Sequence, residues 1–201
     1  DKFLISDSAD SNALKYVQKS NLPSGGLQFI NSVSSTSEVS NLTLDNVFTS
    51  TYTNYLIVGE YTLINGSGPQ PRFQFRTGGS SGSDLSASEY NYHFLRMNAD
   101  STSVNNHMAT GNTYCEFSDQ TSNDSARVGI RLTWTVYNPF DNSVRTTVSG
   151  HGKITVQDGN SAFITGSCDY KGTNSVTGIK FYAHTDNVKN GEFRVYGIVD
   201  S

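Results

Sequence analysis

The chain reads as an all-β, antiparallel β-sandwich preceded by a short stem, and three observations predict the β-sandwich. From residue 27 onward, apolar segments of five to ten residues alternate with turn clusters at regular spacing, which is the sequence form of a sandwich or barrel. Inside several of those segments the apolar residues recur with period two, the repeat of a half-buried strand. Ser, Thr and Asn make up 67 of the 201 residues while only 16% are charged. Those three are weak helix formers, and the 11 Tyr and 11 Phe favour strands.

Residues 1–26 read differently from the rest and form a separate stem and linker. Asp1-Lys-Phe-Leu-Ile-Ser-Asp7 alternates like a strand. The stretch 13–22 is expected to make one or two helical turns with Leu14, Val17 and Leu22 facing one way. Pro23-Ser-Gly-Gly26 then breaks the chain. A segment this short cannot bury enough surface to be stable alone, so packing against partner copies is expected. The chain starts at Asp1 rather than Met, and residue 1 is expected to mark a cut from a longer polypeptide.

The sandwich domain, 27–201, is expected to hold strands at 27–34, 39–48, 55–64, 72–76, 90–97, 113–117, 128–137, 144–156, 162–170, 178–183 and 192–199. The strand at 144–156 is allowed a bend at Gly150-His-Gly152. Between the strands lie Asn65-Gly-Ser-Gly-Pro69, Gly78-Gly-Ser-Ser-Gly82, 119–125, Asn138-Pro-Phe-Asp-Asn142, Asp158-Gly-Asn160 and Lys171-Gly-Thr-Asn174. Each supplies the Gly, Pro, Asn or Asp that a tight turn needs.

Parity assigns the faces. Val128, Ile130, Leu132, Trp134 and Val136 oppose Arg131, Thr133 and Thr135; Phe73 and Phe75 oppose Arg72, Gln74 and Arg76. Phe193, Val195 and Val199 oppose Arg194 and Tyr196. In 55–64 both parities are apolar, so that strand is either covered on both faces or packed against another subunit.

A formal charge of −4 without a Lys/Arg cluster offers no electrostatic footprint for nucleic acid or an anionic membrane. The longest apolar run, Tyr55-Leu-Ile-Val58, is too short to span a bilayer. Cys115 and Cys168 lack CxxC spacing and are read as buried free thiols or as one disulfide, and two cysteines do not settle the redox compartment.

No catalytic, metal or cofactor pattern emerges. Gly78-Gly-Ser80-Ser-Gly82 matches G-x-S-x-G, but a nucleophile elbow needs a strand leading in and a helix leading out, and the exit Ser-Asp-Leu-Ser-Ala-Ser-Glu has no helical period. The four histidines, His93, His107, His151 and His184, fall at none of the spacings of a metal pair. Acidic residues are dispersed, which argues against a glycosidase. Trp134 lies on the apolar parity and is read as core. The ligand candidates are instead aromatics and amides beside polar loops or on outward faces: Asn105, Asn106, His107, Tyr114, Phe140, Tyr182 and Tyr196.

Three stretches carry a family resemblance. They are Leu27-Gln-Phe-Ile30 through Tyr52-Thr-Asn-Tyr55-Leu-Ile-Val; Trp134-Thr-Val-Tyr-Asn138-Pro139-Phe140; and Ile179-Lys-Phe-Tyr through Gly191-Glu-Phe-Arg-Val-Tyr196-Gly197-Ile198. Together they resemble the C-terminal jelly-roll domain of tailed-phage fibre and appendage proteins. Residues 1–22 resemble the short modules of phage fibre shafts. The resemblance implies a homotrimer on the virion surface, joined to other tail or appendage proteins and binding a host-surface glycan or protein. It also gives Gly197 a role in close strand packing and Asn138-Pro139 a role in a turn. It carries over no ligand or catalytic residue. A purely structural decoration or fibre-anchoring module is the rival expectation. A depolymerase is disfavoured by the absence of paired acidic motifs or a solenoid repeat.

Overall fold

The computed structural model describes residues 2–7, 13–18, 25–63, 69–118, 129–156 and 160–199. The expected turns within 65–68, 119–125 and 158–159, together with Val128, Leu22 and Pro23, lie outside them. The described chain is all-β, and two antiparallel sheets pack as a sandwich. No α-helix occurs among the described residues.

The stem departs from expectation. Lys2–Asp7 (β1) pairs antiparallel with Ala13–Gln18 (β2), so the helical turns expected at 13–18 are a strand. Pairing with a neighbouring extended segment supplies a backbone hydrogen-bond ladder, which overrides a helical spacing only a turn or two long.

The remaining strands run in chain order. They are β3 (Gly26–Ser35), β4 (Asn41–Leu44), β5 (Asn54–Leu63), β6 (Gln70–Thr77), β7 (Ser83–Asp84), β8 (Tyr90–Asn98) and β9 (Val104–Asn112). After them come β10 (Cys115–Glu116), β11 (Ile130–Tyr137), β12 (Thr146–Thr155), β13 (Ser161–Tyr170), β14 (Gly178–His184) and β15 (Val188–Val199). An eight-stranded sheet has the order β3-β15-β5-β11-β12-β13-β8-β9. A five-stranded sheet has the order β10-β6-β14-β4, with β7 also on β6. The strand at 144–156 is continuous through Gly150 and Gly152 as β12.

The core lies between the sheets and is aromatic. Trp134 is buried at its centre, edge-on to Phe117 at 4.8 Å and close to Phe73 at 5.3 Å. Its space is created opposite, on β12: a Cβ on Gly150 would stand 2.3 Å from Thr133 O and 2.6 Å from Trp134 Cδ1. Gly150 is therefore a requirement of Trp134 packing. Tyr52 covers Gly197 in the same way, 2.4 Å from where a Cβ would sit, which fits the close packing expected there. Asn138 takes φ 49° and leads Pro139 into a turn whose carbonyl accepts from Val176 N at 2.7 Å.

Cys115 and Cys168 are free, buried thiols on opposing sheets. Burial, and after it a hydrogen bond with Cys168, pushes the Cys115 thiol well up.

Candidate functional site

Two surfaces stand out, one on each sheet, and the register builds both. On the outer face of the eight-stranded sheet, one row crosses Ser34, Glu192, Glu60, Arg131, Lys153 and Phe163. The next crosses Ser32, Arg194, Val58, Thr133, His151 and Thr165. A third begins Phe29, Tyr196, Leu56 and Thr135. The rows enclose a groove of about 880 Å³ lined by Leu27, Leu56, Val58, Tyr196 and Phe163 along with the charged residues.

Two aromatic contacts sit on this face. Phe29 meets Tyr196 edge-on at 5.7 Å, and His151 stacks on Phe163 at 6.0 Å. Glu60 accepts from Arg131 Nε at 3.0 Å and Glu192 from Arg194 Nε at 2.9 Å. Glu60 and Glu192 are nevertheless cross-strand partners, as are Arg131 and Lys153. Like charges directly opposite one another destabilise a ladder.

Of the ten large apolar side chains exposed among the described residues, only Phe140 and Val144 lie off this face. Leu27 on β3 is 54% exposed and Met108 on β9 62%. Scattered exposed apolar residues are ordinary, whereas eight of ten on one sheet face make that face the candidate contact surface.

The second surface is the outer face of the five-stranded sheet and its open edge. Arg72 on β6 is buried there, with its guanidinium 3.8 Å from the centre of the Tyr114 ring and its Nε 2.5 Å from Glu116 Oε2. His107, on the edge strand of the other sheet, brings Nε2 within 2.9 Å of Glu116 Oε1, out of line for a well-aligned hydrogen bond. Tyr92 stacks on the His107 ring at 5.4 Å. Burial pushes the Glu116 carboxyl up, but His107 and Arg72 outweigh it and hold the group below its usual range. This is a charged clasp joining β9 to β10 across the sandwich edge.

Further along the same face, Arg76 binds Asp45 at 2.6 Å and also Asp84, which Lys180 shares. Lys180 Nζ lies 4.7 Å from the Tyr182 ring centre.

The structure thus gathers three of the seven ligand candidates. His107 and Tyr114 belong to the clasp, and Tyr182 is the cross-strand partner of Arg72. Asn105 and Asn106 lie on β9, a strand the sequence reading leaves as loop. Asn106 is exposed on the outer face of the large sheet, whereas Asn105 is half-buried opposite Arg96. Phe140 is exposed in the turn after β11, far in register from the clasp. Tyr196 lines the groove. The sequence reading names none of Leu27, Phe29, His151, Lys153 and Phe163 as a contact residue, and points to Val58 only through the doubly apolar strand 55–64. Their signal is large apolar or charged residues on the outward parity of strands whose inward parity is already apolar.

Ser80 sits in a 3₁₀ turn, Gly79–Ser81, that leads from β6 into β7 rather than into a helix. Among the described residues, no group of three His, Cys, Asp or Glu gathers as a metal site. Neither a protein-family model, nor a curated protein, nor a solved structure matches the chain.

Proposed function

We propose that the chain is the distal sandwich of a homotrimeric phage fibre or related virion appendage, preceded by a stem at 1–26, and that it attaches the virion by binding a host-surface glycan. The observation that carries this reading is the set of exposed apolar side chains that the outer face of the eight-stranded sheet holds among its charged rows, which one copy leaves uncovered and an oligomer would cover. The C-terminal resemblance points to the same assembly. Glycan recognition rests on hydroxyl and amide hydrogen bonds with an aromatic platform. Asn41, Thr43, Lys180 and Tyr182, half-buried on neighbouring strands of the small sheet, supply those groups. Three such faces in one particle would raise a weak single-site affinity by avidity.

The test is binding of the purified chain to host cells and to their isolated surface polysaccharides, with Tyr182→Ala and Asn41→Ala as variants. Saturable binding weakened by both variants supports attachment. No binding to host cells at any concentration removes it.

A purely structural appendage module is the second reading. It is favoured by the clasp, which engages His107 and Tyr114 internally. Labelling the chain in intact particles separates the two, since a receptor-binding tip lies at the distal end of an appendage and an anchoring module lies at its base.

A further inference from the structure

The outer face of the large sheet identifies what covers it, given the trimer reading above. We propose that this face seats a second copy of the same chain, so that three sheets line the threefold axis and the small sheets face outward.

The first support is distribution. The exposed apolar residues run across the whole sheet, from Leu27 and Phe29 on β3 to Met108 on β9. Both of the chain's methionines, Met97 and Met108, are on it. A pocket for a small ligand would concentrate such residues, whereas a face this broad suits another sheet.

The second support is charge. Glu192 and Glu60 sit side by side on β15 and β5, and Arg131 and Lys153 on β11 and β12. Lys153 has no ion-pair partner among the described residues. Around a cyclic axis, the β15/β5 half of one copy meets the β11/β12 half of the next. The acidic pair then faces the basic pair at every contact, and the ring closes without a leftover face. The like-charge pairings that are unfavourable within one sheet become complementary between two.

Two measurements on the full chain decide it. In the first, peroxide oxidation of Met97 and Met108 is followed by mass spectrometry over a dilution series. Slow oxidation when concentrated that becomes fast on dilution is the expected result. Protection that persists in the monomer means that the chain itself covers the face, and overturns the proposal. In the second, sedimentation equilibrium compares the wild type with Glu192→Lys, Lys153→Glu and the double exchange. Each single variant should weaken association about tenfold, and the exchange should recover most of that loss. A wild-type chain that stays monomeric defeats both this proposal and the trimer reading. A trimer with freely oxidised methionines and no response to charge exchange defeats the face alone.

Discussion

Phe181 on β14 and Phe193 on β15 lie face to face across the sandwich, with ring centroids 3.8 Å apart and planes 3° apart. The two strands are neighbours in sequence and would read as a hairpin, yet they belong to different sheets. Their short connection crosses between the layers, with an Ala183–Asp186 bridge and Thr185 at φ 63°. The stacked pair is therefore an inter-sheet contact between two strands joined by that crossover. Replacing Phe193 by Ala should cost about 3–5 kcal/mol, as for other buried Phe truncations. Urea unfolding at neutral pH measures it.

Gly150→Ala should cost about 1–3 kcal/mol by overpacking. The new methyl meets both the Thr133 carbonyl and the Trp134 ring. Because Trp134 is the sole tryptophan, its fluorescence maximum should shift in the folded variant. An unchanged spectrum with unchanged stability contradicts the packing account.

The Glu116 clasp gives stability a defined pH dependence. Its folded pKa lies below its unfolded value, so its contribution is fully present above about pH 4.3, the ordinary value for Glu. That contribution is lost as pH falls through the folded pKa. Glu116→Gln should lower stability at pH 7 by about 1–3 kcal/mol, since the charged hydrogen bond from Arg72 is weakened. It should also flatten the acid limb of a stability–pH curve. A parallel curve displaced downward would show that the carboxylate charge is not what matters.

Tyr55 has its hydroxyl bound to Thr49 twice, donating to Thr49 O at 2.8 Å and accepting from Thr49 N at 2.8 Å. Tyr55→Phe should cost about 1–3 kcal/mol by leaving those backbone groups without partners. Hydrogen exchange at Thr49 should speed up by more than exchange in the central strand β11, which reports only the loss of global stability.

Cys115 and Cys168 should resist a thiol-reactive dye in the folded protein, because both are buried and burial raises the Cys115 pKa away from thiolate. Two thiols per chain should react once denaturant is added. None would mean that the pair is oxidised to a disulfide.

Much of this architecture is legible in the sequence because inward residues alternate with outward ones. Ile130, Leu132, Trp134 and Val136 are all buried, with Arg131 exposed among them. The strand β9 is not legible. Val104-Asn-Asn-His-Met-Ala-Thr-Gly-Asn112 has weak β propensity and is held at a sheet edge by its partner β8. The doubly apolar pattern of β5 has a different basis on each face: Tyr55, Ile57 and Tyr61 fill the core, while Val58 faces outward. The clasp escapes sequence reading because Arg72, His107 and Glu116 come from three strands in two sheets. Their proximity follows from register, which composition does not carry.

The strand β3 makes its ladder with β15 alone. That pairing joins the beginning of the sandwich domain to the last element in chain order, across almost the whole of its sequence. Closing so long a loop is an early entropic cost with a late reward, so folding should be slow and limited by this step. Until β15 arrives, β3 and one edge of β5 have no partner within the sheet, and both expose backbone hydrogen-bonding groups to strands of other chains. Copies that fold close together could exchange β15 at this stage. Whether each chain supplies its own final strand is thus a question of folding kinetics as much as of the stability of the finished sheet.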